Sequence, residues 1–486
     1  VLSAVVFALL AAPPQPTLSR VDQQEALNDR LEESFDALCS ALKAGRRVLG
    51  EPLAAPSVQL PVGDLVEIDN CSLRALELKP ARKDGARPIR LLWEIDGRDG
   101  SGNFVTVRGE NDAAVAPTKT GWRLTELSTE GFRRLSVPSR RFVERSAASG
   151  LIVPQRTSTR LGPEAMTGGL SVRDLDGDGR PDVIVLDGPK AWLFRGAAGF
   201  TFGKPELVAE ASKQTIFTSA ALGDLDGDGD ADLALTSYPN QPVRLFRNEG
   251  GQLSGAGTLG NGGLHQSAIF SDLDGDGRLD LAVFTYPFTA RNPSSFVEAA
   301  NGGAPEVWLG NADFTFRPLG FSGKPRWTLA AVAADLLRTG AVQLYLANDF
   351  GSNDLYTFTA DGGATERARS LSLDDPGNGM SADVGDLDGD GRLDLYVANM
   401  FSKAGTRVLA GAQLPGTPGA LLGKFARGNT LYLAQADGGF VERAVELGVN
   451  RGLWAFASLL ADVDDDGRLE ALVANGYLSM PKRKDT

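Results

Sequence analysis

Histidine is almost missing from these 486 residues, where His265 stands alone. One imidazole leaves few routes to catalysis by a nucleophile and a base, and no such pair is apparent elsewhere. Cysteine is nearly as scarce. Cys39 and Cys71 have no neighbouring histidine and suggest neither a metal centre nor a nucleophile. They can form one disulfide if the protein is exported, and are otherwise two buried thiols. Residues 1–12, VLSAVVFALLAA, form an apolar run that is too short to span a bilayer, so no transmembrane segment is expected. The run has the length of a signal-peptide core and predicts export to the periplasm, the cell surface or beyond. No Lys or Arg precedes it, and no Cys directly follows it to take a lipid anchor.

Glycine is abundant, with 58 residues, as many short strands joined by tight turns require. The apolar fraction of 42% and charged fraction of 23% describe a globular chain with ample core. The net charge of −13 argues against a nucleic-acid partner, but the acids are concentrated. Residues 174–182 read DLDGDGRPD. The pattern returns as DLDGDGDAD at 224, DLDGDGRLD at 272 and 386, and DVDDDGRLE at 462. These five loops hold 22 of the 62 Asp and Glu residues, and without them the balance is +9. A further copy at 335–343, DLLRTGAVQ, keeps the frame and loses most acids.

The first-Asp positions 174, 224, 272, 335, 386 and 462 are 50, 48, 63, 51 and 76 residues apart. Units of about 50 residues fit four-stranded blades. The predicted fold is mainly β, a six-bladed β-propeller, or a seven-bladed one if an insertion hides a further unit, preceded by a small α+β domain. Residues 1–18 are read as signal peptide and Pro-rich joint, 19–140 as the small domain, 141–477 as the propeller and 478–486 as a tail. In the small domain Ser19 is expected to cap a helix on which Leu27, Leu31, Phe35, Leu38 and Leu42 share a face, and strands follow from about residue 88 to 135. The pattern resembles NTF2-like or cystatin-like folds. Residues 142–151, FVERSAASGL, match FVERAVELGV at 440–449 and are expected to supply the strand that closes the last blade.

In each loop, positions one, three, five and nine offer carboxylates and position seven its carbonyl. The candidate ligands are Asp174, Asp176, Asp178, Arg180 and Asp182; Asp224, Asp226, Asp228, Asp230 and Asp232; Asp272, Asp274, Asp276, Arg278 and Asp280; Asp386, Asp388, Asp390, Arg392 and Asp394; and Asp462, Asp464, Asp466, Arg468 and Glu470. An all-oxygen, flexible donor set favours Ca²⁺, giving about five structural sites. In the fourth loop Leu337, Thr339 and Gln343 replace acids, and no ion is expected there.

These loops and their flanking strands resemble FG-GAP or VCBS repeats, the calcium-binding propeller units also found in integrin α-chains. LANDFGSNDLY at 346, MSADVGDLDGDGRLDLYVANMFS at 380, FARGNTLYLAQADGGFVERAVELGV at 425 and WAFASLLADVDDDGRLEALVANGY at 454 resemble the cartilage acidic protein and UnbV-like family more narrowly. The resemblance covers about residues 142–477. That family's C-terminal ASPIC/UnbV segment has no counterpart in PKRKDT.

On the face opposite the acidic loops, Asn348, Asp349, Phe350, Asn399, Phe401, Asn475, Tyr477, Tyr238, Tyr286 and His265 form a candidate ligand face. The same residues also read as strand ends and as aromatic packing between blades. The expected function is an exported binding or adhesion module for a glycan or protein. The alternatives are a calcium-dependent, lyase-like enzyme acting on polysaccharides, and a structural or assembly protein.

Overall fold

A computed structural model describes residues 16–45, 53–138, 142–153, 169–287, 292–295, 298–321, 323–359, 362–401 and 424–475. The apolar run on which export rests lies outside the described residues, as do Tyr477 and most of the insertion at 401–428. The chain is mainly β and divides into two compact units. Residues 1–144 make up most of the first, and 145–401 with 427–478 make up the second. Among the described residues no helix is long and apolar enough to cross a membrane.

In the first unit, helix α1 (Pro16–Lys43) begins three residues before the expected cap at Ser19. Proline suits a first turn because its φ is already helical and its missing N–H is not needed there. Leu31, Phe35, Leu38 and Leu42 are buried, with Leu27 packed alongside. They cover a sheet of antiparallel strands β1 (Leu65–Leu78), β2 (Arg87–Asp99), β3 (Phe104–Pro117) and β4 (Trp122–Leu127), with β5 (Arg133–Val137) pairing to the other half of β3. Strand β1 lies outside the expected span of strands. Three register shifts against β2 break its period-two pattern, so LRALEL does not read as a strand. Trp93 is sealed at the centre, edge-on to Phe132. A Cys39–Cys71 disulfide joins α1 to β1.

The second unit is a series of antiparallel sheets. The first four-stranded sheet comprises Leu170–Arg173, Asp182–Asp187, Lys190–Phe194 and Glu206–Glu210. The second comprises Ile216–Gly223, Asp232–Tyr238, Gln241–Glu249 and Gln252–Gly263. The third has His265–Ser271, Asp280–Thr285, Glu306–Gly310 and Phe316–Pro318. The fourth has Trp327–Ala334, Gln343–Asp349, Asp354–Phe358 and Ala364–Glu366, and the fifth Gly379–Gly385, Asp394–Asn399, Thr430–Ala434 and Phe440–Glu442. The sixth contains two described strands, Ala455–Ala461 and Glu470–Asn475.

Strand geometry explains how the sheets stack. Successive side chains point to opposite faces, and a second strand covered on both faces must be apolar throughout. Leu233 and Leu235 pack towards the first sheet and Ala234 towards the third. Leu281 and Val283 face the second sheet, whereas Ala282 and Phe284 face the fourth. Leu344 and Leu346 meet the third sheet, and Tyr345 and Ala347 the fifth. Each apolar cluster therefore lies between consecutive sheets, and the first strands of neighbouring sheets run side by side.

The closing strand expected at 142–151 is not formed. Residues 142–145 enter no sheet, Phe142 and Val143 are 65% and 68% exposed, and Ser146–Ser149 forms a short helix, α2. A fourth strand needs a third to pair with, and the described residues provide none beside Glu470–Asn475. The sequence match to 440–449 survives in the turn: α3 (Ala444–Leu447) and α2 both end on a left-handed glycine, Gly448 and Gly150.

Candidate functional site

Each acidic loop joins the first and second strands of its sheet. Its first Asp folds the loop around itself. Asp174 Oδ1 accepts the Gly177 N–H at 2.9 Å and Oδ2 accepts that of Gly179 at 2.8 Å. Asp224, Asp272 and Asp386 repeat both bonds, and Asp462 accepts from Asp466 and Gly467. The fourth residue takes a left-handed backbone, which glycine adopts freely: Gly177, Gly227, Gly275 and Gly389 all have φ between 71° and 79°. In the sixth loop Asp465 holds that conformation at φ 59°.

The carboxylates then converge. One oxygen from each residue lies within 4.8 Å of the others in the groups Asp174/Asp176/Asp178, Asp224/Asp226/Asp232, Asp272/Asp274/Asp276, Asp386/Asp388/Asp394 and Asp462/Asp464/Glu470. In the second loop Asp226 Oδ1 is buried and has no hydrogen-bond donor. A buried anionic oxygen without a partner is costly, and a cation would satisfy it. Hard oxygen donors at this density fit a divalent ion.

Position nine works differently from its neighbours. Asp182 Oδ2 accepts the Leu175 N–H and Oδ1 accepts that of Gly196, so one carboxylate ties the loop to the chain just past the third strand. Asp232 holds Leu225 and Asn248, Asp280 holds Leu273 and Gly310, and Asp394 holds Leu387 and Ala434. Burial pushes the Asp232 and Asp280 carboxyls up to about 6 and raises Asp394, against the pull of these backbone bonds. In the first and third loops position nine is absent from the convergent group and acts as a staple.

The fourth loop closes with a single acid. Asp335 keeps the bonds to the backbone N–H groups of Thr339 and Gly340, and Gln343 Oε1 accepts from Leu337 at position three, where the position-nine Asp elsewhere accepts from position two. The Gln343 amide then donates to Thr339 Oγ1 at 3.2 Å and to the Ala341 carbonyl at 2.5 Å. A side-chain N–H thus satisfies the oxygens on its own loop. Replacing Gln343 by Leu should cost roughly 2 kcal/mol, since buried groups lose their partners. Urea titration with and without calcium checks this, and the loss should be the same in both.

Among the described residues, most side chains expected to form a ligand face at the opposite ends of the second strands are closed off. Asn348, Asp349, Phe350, Asn399, Tyr238, Tyr286 and His265 are all buried; Phe401 is half-buried and Asn475 is exposed. Polar residues there complete a repeated staple. Asn353 Oδ1 accepts the Asn348 N–H, Asn353 Nδ2 donates to Tyr345 Oη, and that hydroxyl donates to the Leu373 carbonyl. Asn429, Asn399, Tyr396 and the Val449 carbonyl repeat it in the fifth sheet. The recurrence of NDLY at 353 and NTLY at 429 was its signal in the sequence. His265 is sealed, with Nε2 3.4 Å from Glu306 Oε1.

Tyr286 donates to Asp349 Oδ2 at 2.7 Å, and its ring meets Trp327, which in turn packs edge-on to Phe350. Burial pushes the Asp349 carboxyl up to about 6 despite this bond. The folded chain therefore keeps a proton that the unfolded chain releases from about pH 4. The stability contribution falls as pH rises from about 4 to 6 and is level above. In Asp349→Asn, chemical unfolding should lose a pH dependence on the order of 3 kcal/mol across that window.

A family model described as FG-GAP-like repeat matches residues 174–235, 224–283 and 335–397. No curated protein matches the chain. Among solved structures, one from a study of an Agrocybe aegerita lectin recognising non-reducing terminal N-acetylglucosamine is similar over 64% of this chain and 75% of its own, at 16% identity and a TM-score of 0.37. A Lactobacillus plantarum protein is similar over 77% of this chain and 95% of its own, at 13% identity and a TM-score of 0.36. The repeats of the second unit thus include three of the FG-GAP-like kind.

Proposed function

We propose that the second unit is a calcium-stabilised, six-bladed β-propeller serving an exported protein as a binding or adhesion module for a glycan or protein. The observation that carries the reading is the recurrence of convergent carboxylates at one junction in five of six sheets. FG-GAP-like matches over three stretches support calcium as the ion, and sheets packed each on the next support blades. The disulfide in the first unit supports an oxidising destination. Binding is favoured over acid–base chemistry because the one imidazole is buried and faces Glu306. Calcium most economically fastens each loop, and recognition falls to loops carried by the rigid sheets. A glycan array probed in calcium and in chelator tests this, alongside assays on acidic polysaccharides. Calcium-dependent retention without depolymerisation is expected, and calcium-dependent cleavage would sink the reading.

A further inference from the structure

The five acidic loops are not electrically alike. In the first, third and fifth, position seven is Arg180, Arg278 or Arg392, and each guanidinium is ion-paired with the position-five carboxylate of its own loop, Asp178, Asp276 or Asp390. The same arginines are anchored through Nε on the third strand, at the carbonyls of Gly196, Gly310 and Ala434. A resident cation thus already neutralises part of each of these loops. In the second loop position seven is Asp230, whose Oδ2 accepts the Gly250 N–H, leaving Asp228 without such a partner from its own loop. Its nine residues carry five acids and no base, whereas the first, third and fifth loops each carry four acids and one arginine and the sixth carries five acids and one arginine. It is also the loop with the donorless, buried Asp226 Oδ1, on a side chain only 10% exposed. Arg247 engages the other oxygen of Asp226 at 2.9 Å and does not reach position five.

We propose that the loops form two classes of divalent-cation site. The second loop is a resident site, filled first. The first, third and fifth are exchange sites, where the incoming ion must displace an arginine. This rests on the calcium reading above and adds to it a calcium response in stages, with one ion bound before the ambient concentration reaches the range that fills the others. Two units of charge separate the second loop from the first, third and fifth, and one unit separates it from the sixth; two units are enough for an affinity difference on the order of tenfold or more even where water screens strongly.

Calorimetric titration of the full chain with Ca²⁺ reads the classes directly. The second-loop site should bind about tenfold or more tightly than those of the first, third and fifth loops, with the sixth between them. Asp230→Arg should merge that site with the others. Arg278→Gln, on an exposed side chain, should tighten the third loop relative to the first and fifth, with circular dichroism confirming that both variants fold. Five equal sites, with Arg278→Gln silent, would overturn the two-class proposal and leave the calcium reading standing. Absence of any Ca²⁺ binding would overturn both.

Discussion

Removing calcium should lower the melting temperature of the second unit by about 10 °C. The estimate follows from mass action. With a site affinity near ~10⁻⁴ M and external calcium near ~10⁻³ M, each ion stabilises the folded form by about 1.4 kcal/mol. Five such sites contribute about 7 kcal/mol, comparable with the stability of an ordinary domain. For a unit of about 300 residues the unfolding entropy converts this to about 10 °C. The position-nine carboxylates give the effect its route. In the first, second, third and fifth loops each ties its loop to the third strand or to the residue just past it, so opening the loop loosens the sheet and not only its rim. Scanning calorimetry in calcium and in chelator measures the shift, and coincident transitions would remove the calcium argument. Magnesium should restore less, because its octahedral preference suits these irregular donor sets poorly.

The second large effect belongs to the first unit. The Cys39–Cys71 bond closes a loop across 32 positions between α1 and β1. Chain-entropy reasoning assigns such a closure about 4 kcal/mol. The paired substitution of both cysteines by serine should lower the first unit's stability by about that amount. Urea unfolding followed by the fluorescence of Trp93, which is sealed in that core, reports it. The same loss in the second unit's transition would be unexpected, since both cysteines lie in the first.

The acidic loops were legible in the sequence because their chemistry is local. Nine residues contain the turn, its glycines and its carboxylates, and repetition supplied the period. What the sequence hid depended on partners distant in the chain. Asp182 looks like one more ligand until the Gly196 N–H is placed beside it. Asn348 and Tyr286 look like exposed strand ends until Asn353 and Asp349 are brought against them. Strand β1 was obscured by its bulges, and the segment 142–151 shares a sequence with a strand and turn whose pairing edge it lacks. The N-terminal helix was readable from its apolar spacing, though its start was set by Pro16.

Gln343 has a consequence for the loss of calcium. Its amide satisfies the fourth loop from within the chain, so that repeat completes its turn without waiting for an ion from outside. If calcium fastens the other loops, as proposed above, this repeat alone keeps its turn when calcium is removed.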